Sequence, residues 1–575
     1  MTSPHTPDPG GFGPWNPGVE SPVPHRLRPL CTIFRPEHVY TSYPQARELR
    51  GLTGLEYTEL VAFRPERLAL HELLVRVSAD FSVPDGEKIE DLGINFRQIV
   101  REILAREIEP RLEEVDAHYD AAKREVAEFI HAELAGLFPT MDETAPASTL
   151  IERWETYAHA NEPSMRRAAS RALSTVVSAL LARHGRVWGT RELTAGIATT
   201  LACNDYAGAQ IGELIGPWLL HAASARGYRL LPRQEHPVVM NTKGASASGK
   251  STLRPLQKRL AGDIGTDWSA FALISPDIWR KQLLDYSTLG ADYKYAGAFT
   301  GDEIQIVDQK LDQYMARKAQ RGNMSHLLID RFRFDSFAPD SDVAGSNLLT
   351  RFGRIVYLFF MITPPASLVT RAWNRGLEVG RYKAVDDTLA HGVEAYSGMP
   401  QLFFTWVQRA DKRVHFEFLD NTVQLGEPPR TVAFGWNDTI NVLDVKSLLD
   451  VERYRRVDIN ARAPEALFLD PALLAPEKNM SFLRQCVERF REVNFADPAT
   501  GRVYLRIVEG VAQWADSAAL EAAAAEPDTR AGLAAVAPQA LCGKLPLSDL
   551  PARPGILARE RVHTLGRWGP DDRTA

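Results

Sequence analysis

Apolar positions along the first half of the chain recur at helical spacing. Ile94, Ile99, Val100, Ile103 and Leu104 form one such set. After Pro110 the pattern restarts with Leu112, Val115, Tyr119, Ala122, Val126, Phe129 and Ile130. Gaps of three and four residues, sustained over about three heptads, predict a long helix or a helical hairpin. Segments 164–184 and 192–201 read the same way, so residues 36–230 are expected to form a mainly α-helical N-terminal domain. From 236 to 445 the texture changes. Short apolar or β-branched runs at 238–240, 271–274, 327–329 and 354–362 alternate with helical stretches. That rhythm predicts βαβ units, hence a mostly parallel sheet with helices on both faces. Residues 446–575, with a helix-like stretch at 470–493 and an Ala-rich one at 518–525, are expected to be a helical C-terminal extension with a polar tail. The Pro/Gly-rich opening, residues 1–35, predicts a flexible, disordered arm.

Composition narrows the class. The chain has 575 residues, 67 Lys+Arg against 73 Asp+Glu, and a formal net charge of -6. At about 100–200 residues per domain this is room for three or four units. The near-neutral balance gives no broad basic footprint, so nucleic acid is not the expected partner. The four cysteines, Cys31, Cys203, Cys486 and Cys542, form no CxxC pair. They exclude a cysteine-based zinc site and fit a reducing, cytoplasmic compartment. The longest apolar run, at 355–362, is far short of the ~20 residues that span a bilayer. The first 25 residues lack the basic and apolar regions of a Sec signal peptide, which leaves non-Sec export of an effector open.

The strongest chemical signal is Gly244-Ala245-Ser246-Ala247-Ser248-Gly249-Lys250-Ser251-Thr252, a full G-x-x-x-x-G-K-[ST] match. Backbone N–H groups must wrap a phosphate chain, so glycines are needed where a Cβ would clash or φ is positive. Lys250 is expected to reach the β/γ-phosphates, and the Ser251 hydroxyl to bind Mg²⁺. The flanking apolar run and Leu253, Leu256 and Leu260 place the loop between a strand and a helix. Pro255 falls in the second turn of that helix, where it removes a backbone bond to about Ser251. A guanine-selective N-K-x-D is absent, so ATP is the expected nucleotide.

Three further segments extend the site. Asp277 follows the 271–274 strand, where a carboxylate can accept the proton of an attacking hydroxyl. On spacing alone, Ser275 as N-cap with Pro276 at N1 explains the same residues as a helix start. Asp330 closes an apolar-apolar-apolar-acid strand of Walker B form. Thr363 is expected to cap a helix that carries Arg371 and Arg375 on one face and ends at Gly376, followed by Gly380-Arg381-Tyr382. Arginines above a phosphate loop neutralise charge on the transferring phosphoryl group.

In this order the pieces resemble the zeta toxin family of P-loop kinases. The matching segments are GASASGKST, SPDIWR, Arg321-Gly322-Asn323 through Asp330, TPPASLVTRAWNRG with its following GRY, and Leu419-Asp420-Asn421. They span residues 236–445. The resemblance implies an α/β P-loop NTPase kinase core and ATP/Mg²⁺-dependent phosphorylation of a hydroxyl on a nucleotide-linked metabolite. UDP-N-acetylglucosamine and NAD are the implied substrates. It also implies a toxin or effector role and an antitoxin or inhibitory protein as partner. By position, Asp277 is the general base, Lys250 and Ser251 hold phosphates and metal, Arg371 and Arg381 clamp phosphate, and Asp330, Arg333 and Arg375 face the substrate. The run Arg331-Phe332-Arg333-Phe334 departs from the small or hydroxyl residue usual after the strand-end acid, which weighs against the UDP-sugar. A long 251–277 segment leans toward NAD. The competing expectations are a polynucleotide 5′-hydroxyl kinase and a non-catalytic ATP-dependent partner-binding switch.

Overall fold

Ten strands make one sheet, and its order decides which sequence motifs meet. The computed structural model describes residues 11–88, 90–138, 147–158, 164–331, 349, 352–424, 426–543 and 554–570. β1 (Val238–Lys243) lies between β3 (His326–Asp330) and β4 (Ile355–Ile362). β2 (Phe271–Ile274) pairs with the far side of β3, and β5 (Arg413–Asp420) with the far side of β4; all four pairings are parallel. Every residue of β1 and β2 is buried, as strands covered on both faces require. The helices Arg254–Asp263, Gly301–Gln320 and Val385–Val407 cross between these strands. Because parallel strands end on the same side, the segments after β1, β2, β3 and β4 converge on one edge of the sheet.

The sheet does not stop at residue 445. β6 (Arg430–Trp436), β7 (Thr439–Val442), β8 (Glu492–Ala496), β9 (Val503–Val508) and β10 (Val511–Ala515) continue it in order beyond β5. The expectation of a purely helical extension over 446–575 is therefore corrected. Segment 470–493, read as helix, is two 3₁₀ turns begun by Pro471 and Pro476, a short helix Ser481–Arg489 and the start of β8. Glu509 and Gly510 both have positive φ, 51° and 74°. They join β9 to β10 through the paired Val508 and Val511, the geometry of a two-residue type I′ hairpin.

The opening arm is also more ordered than its composition predicts. Residues 25–34 form two 3₁₀ turns that bury Leu27, Cys31, Ile33 and Phe34. Thr32 Oγ1 donates to the Phe299 carbonyl at 3.2 Å, so four apolar side chains outweigh the Pro/Gly bias and pin this part of the arm. Residues 1–10 lie outside the described residues.

The N-terminal region is helical as expected, with Ser164 capping the helix Met165–His184 and a 36-residue helix Arg191–Arg226. Its helix Pro65–Asp80 is buried almost all round. It packs along β2, at the edge of the sheet, and against Gly301–Gln320. Arg67 Nε and Nη2 hold the Glu303 carboxylate at 2.6 and 2.8 Å, and His71 Nε2 reaches it at 2.7 Å. Lys318 Nζ pairs with Asp80 at 2.6 Å. One apolar core runs through this helical layer and the sheet together.

Candidate active site

The turn after β1 is built for close approach. Gly249 has φ 93° and sits against Asn421, whose Nδ2 would lie 2.3 Å from an added Cβ. Gly244 needs its bare Cα for a different reason: an added Cβ would meet Met361 Cβ and Ser248 Oγ at 2.8 Å. The second left-handed position falls on Ala247, at φ 64°, a conformation that strains a residue bearing a Cβ.

Three donors from other elements fix the Ser248 carbonyl. They are Asn421 Nδ2 at 2.8 Å, Thr363 Oγ1 at 3.3 Å and Arg371 Nη1 at 3.5 Å. Thr363 is thus not the expected N-cap; Pro364 holds that place before the helix Pro365–Val379. The helix also runs past Gly376 to Gly380, which is left-handed at φ 73°. Gly376 lies inside it because the Tyr382 ring packs there, 2.4 Å from where a Cβ would stand.

The chemistry of the loop lies in two contacts. Ser251 Oγ donates to Asp330 Oδ2 at 2.8 Å, joining the hydroxyl of the Gly244–Thr252 loop to the carboxylate at the end of β3. Lys250 Nζ donates to the carbonyls of Gly244 and Ala245 at 3.1 and 3.0 Å. Burial lowers the Lys250 ammonium below its ordinary value, while Asp330 and Asp277 work to keep it charged.

Asp277 lies just past β2, its side chain 50 % exposed. Arg280 Nε donates to Oδ1 at 2.9 Å and Arg381 Nη2 to Oδ2 at 2.6 Å. Its partial withdrawal from water would by itself raise this carboxyl, but Arg381 and Arg280 outweigh that and hold Asp277 well below the usual carboxylate range. Arg280 is itself anchored to the Gly297 carbonyl and Thr300 Oγ1 at 2.6 and 2.8 Å. Trp279, two residues from Asp277 and wholly buried, donates to Ser78 Oγ of the N-terminal layer at 3.1 Å.

The two arginines expected on one helix face separate in role. Arg371 Nη2 donates to the Asn421 carbonyl at 2.6 Å, so this side chain braces the loop rather than standing free as a phosphate clamp. Arg375 lies in the field of Arg381, Asp277 and Arg280, and burial together with Arg381 lowers it to about 9. Lys383, two residues after Arg381, contacts His391 and lies 3.5 Å from Asp387. Burial, with Arg375 and Arg280 adding to it, lowers Lys383 to about 7. Arg331 is structural: buried, it pairs with Asp308 and Asp312 at 2.5 and 2.6 Å. Arg333 lies outside the described residues.

Sequence reasoning gave no role to Lys383, Tyr286 or Asn421. Only Asn421 had a signal, as part of the Leu419-Asp420-Asn421 match. A cavity of 490 Å³ lined by Ile99, Arg254, Leu273 and Leu328 lies beside β2 and β3 and includes neither Asp277 nor Lys250. Among the described residues no group of three or more His, Cys, Asp or Glu side chains forms a metal site, and no helix is long and apolar enough to cross a membrane. No family model, curated protein or solved structure matches this chain.

Proposed function

We propose that the protein is a P-loop kinase that uses ATP and Mg²⁺ to phosphorylate a hydroxyl of a nucleotide-linked metabolite, with UDP-N-acetylglucosamine and NAD as the candidate acceptors. The observation that carries the proposal is the Ser251–Asp330 contact at 2.8 Å, with Asp277 placed beyond the neighbouring strand β2 on the same edge of the sheet. A hydroxyl and a carboxylate side by side suit Mg²⁺, which takes oxygen ligands, keeps several waters and needs few protein groups. Gly244–Thr252 would hold the ATP phosphates, and bound ATP·Mg²⁺ supplies the transferable phosphoryl group.

The chain's own residues do the rest. Asp277 orients the acceptor hydroxyl and takes its proton as the oxygen–phosphorus bond forms. Its ion pairs make it a weak base, which suits a loose transition state in which proton transfer comes late. Lys250, Arg381 and Arg375 spread the charge that develops on the phosphoryl oxygens as the bond to the departing ADP oxygen breaks. Arg371, Thr363 and Asn421 keep the loop in shape through the Ser248 carbonyl. The net charge of -6 weighs against a polynucleotide acceptor.

The test is incubation of the full chain with ATP and Mg²⁺ and a panel of UDP-N-acetylglucosamine, NAD, other nucleotides and an oligonucleotide, read by mass spectrometry for one added phosphate. The expected result is a single gain on a nucleotide-linked metabolite, reduced about 10²- to 10⁴-fold in Asp277→Asn with ATP affinity retained. Full activity in that variant would sink the mechanism.

A further inference from the structure

The turn that carries Asp277 is touched from the other side by the N-terminal layer. The helix Asp91–Ile103 packs directly on Pro276–Trp279. It buries Phe96, Ile99 and Val100 in the core that also holds Trp279. Arg97, one residue beyond Phe96, is half-buried.

Several cations gather here. The charges of Arg97 and Arg381 both act on Lys281, and together with burial they lower it. Burial and Arg101 lower Arg97 in turn, against the pull of Tyr286. Lys281 Nζ sits 5.7 Å above the Tyr286 ring, and Tyr286 lies against Gly380, next to Arg381, 3.6 Å from where a Cβ would stand. Arg280 and Arg381 are satisfied by Asp277. Among the described residues no carboxylate lies within ion-pair distance of Arg97, Lys281 or Arg375.

Two buried polar atoms in the same cluster are also unmet. Among the described residues, Arg375 Nε and Tyr286 Oη have no hydrogen-bond partner. A buried donor left unsatisfied is destabilising, and mutually repelling cations add to that cost. Such an arrangement persists where an anion completes it.

We propose that Arg97, Lys281, Tyr286 and Arg375 form a subsite for a phosphate or diphosphate group of the acceptor, shared between the N-terminal helical layer and the sheet domain. The proposal rests on the kinase reading for its purpose but not for its test. The helical layer is then part of the substrate site. Arg97 is its specificity element, because it comes from outside the phosphate loop and the arginine-bearing helix. The subsite selects acceptors that carry anionic oxygens away from the reacting hydroxyl and rejects neutral sugars and nucleosides.

The experiment is calorimetric titration of inorganic pyrophosphate into the full chain already saturated with ADP and Mg²⁺, so that the phosphate loop is filled. Wild type is expected to bind, and Arg97→Gln and Lys281→Gln to weaken binding about tenfold each while ADP affinity and melting temperature hold. Asp277→Asn is expected to keep pyrophosphate binding, which separates this subsite from catalysis. Binding without any phosphoryl transfer would leave the subsite standing and remove the kinase reading. Unchanged pyrophosphate affinity in Arg97→Gln, or no binding to the ADP-saturated wild type, overturns the subsite.

Discussion

Lys383 shows how far one side chain is shaped by its neighbours. Asp387 and His391 face it from the helix Val385–Val407 that follows it, and the charges of Arg375 and Arg280 act on it from other elements. Its ammonium is lowered to about 7 from an ordinary 10.5, chiefly by burial. The unfolded chain therefore holds a proton up to about pH 10.5 that the folded chain gives up above about 7. Stability consequently rises with pH across that window, and the penalty of folding this lysine is greatest at and below pH 7. Lys383→Met removes the penalty. Melting temperature is expected to rise in the variant at pH 7 and to rise much less at pH 9.5. Equal shifts at the two pH values would show that Lys383 is charged throughout. The price of keeping such a residue is consistent with a site that gathers cations for an anionic ligand.

At the scale of elements, the helix behind the Gly244–Thr252 loop shows how a sequence conflict is resolved. Lys250–Leu253 is a 3₁₀ turn, and the α-helix begins only at Arg254, with Pro255 in its first turn. The carbonyl of Ser251, which Pro255 cannot serve, accepts from the Arg254 N–H instead. The missing donor therefore costs nothing, since N–H groups of a first turn have no intrahelical partner. Pro255→Ala is expected to move the melting temperature by less than about 2 °C, checked by a thermal melt; a loss of many degrees would mean the proline holds the loop's shape. The strands β1 to β4 were legible because continuous apolar runs bounded by turn residues admit little else. The loop was legible because its chemistry demands fixed residues at fixed spacing. The brace on Ser248 was not, since Thr363, Arg371 and Asn421 meet only through the sheet order. Nor were β8 to β10, where 470–493 carries enough apolar residues to pass for a helix. The Glu509-Gly510 reversal between Val508 and Val511 was the overlooked cue.

For the whole molecule, the question is whether the helical residues 1–230 can be a detachable inhibitor. The packing argues that they cannot. Pro65–Asp80 lies along β2 at the edge of the sheet, and among the described residues the side-chain partners of Glu303 in the sheet domain are Arg67 and His71 of the helical layer. Burial lowers His71 to about 4 even beside Glu303, so near neutral pH it is an uncharged ring and the Arg67 guanidinium supplies the charge paired directly with the carboxylate. Removing one partner of a buried pair costs about 3–5 kcal/mol, and removal of the layer would also expose β2 and the apolar face of Gly301–Gln320. A chain starting at residue 231 is therefore expected to be insoluble or to lose its cooperative melt, with no kinase activity gained. A soluble, folded product more active than the full chain would reverse this conclusion and restore the inhibitor reading. Because Ser78 also holds Trp279, two residues from Asp277, milder damage should be visible before unfolding. On the proposed function, Ser78→Ala in the full chain is expected to lower turnover more than it lowers ATP affinity, since it loosens the turn that carries Asp277 and leaves the Gly244–Thr252 loop untouched.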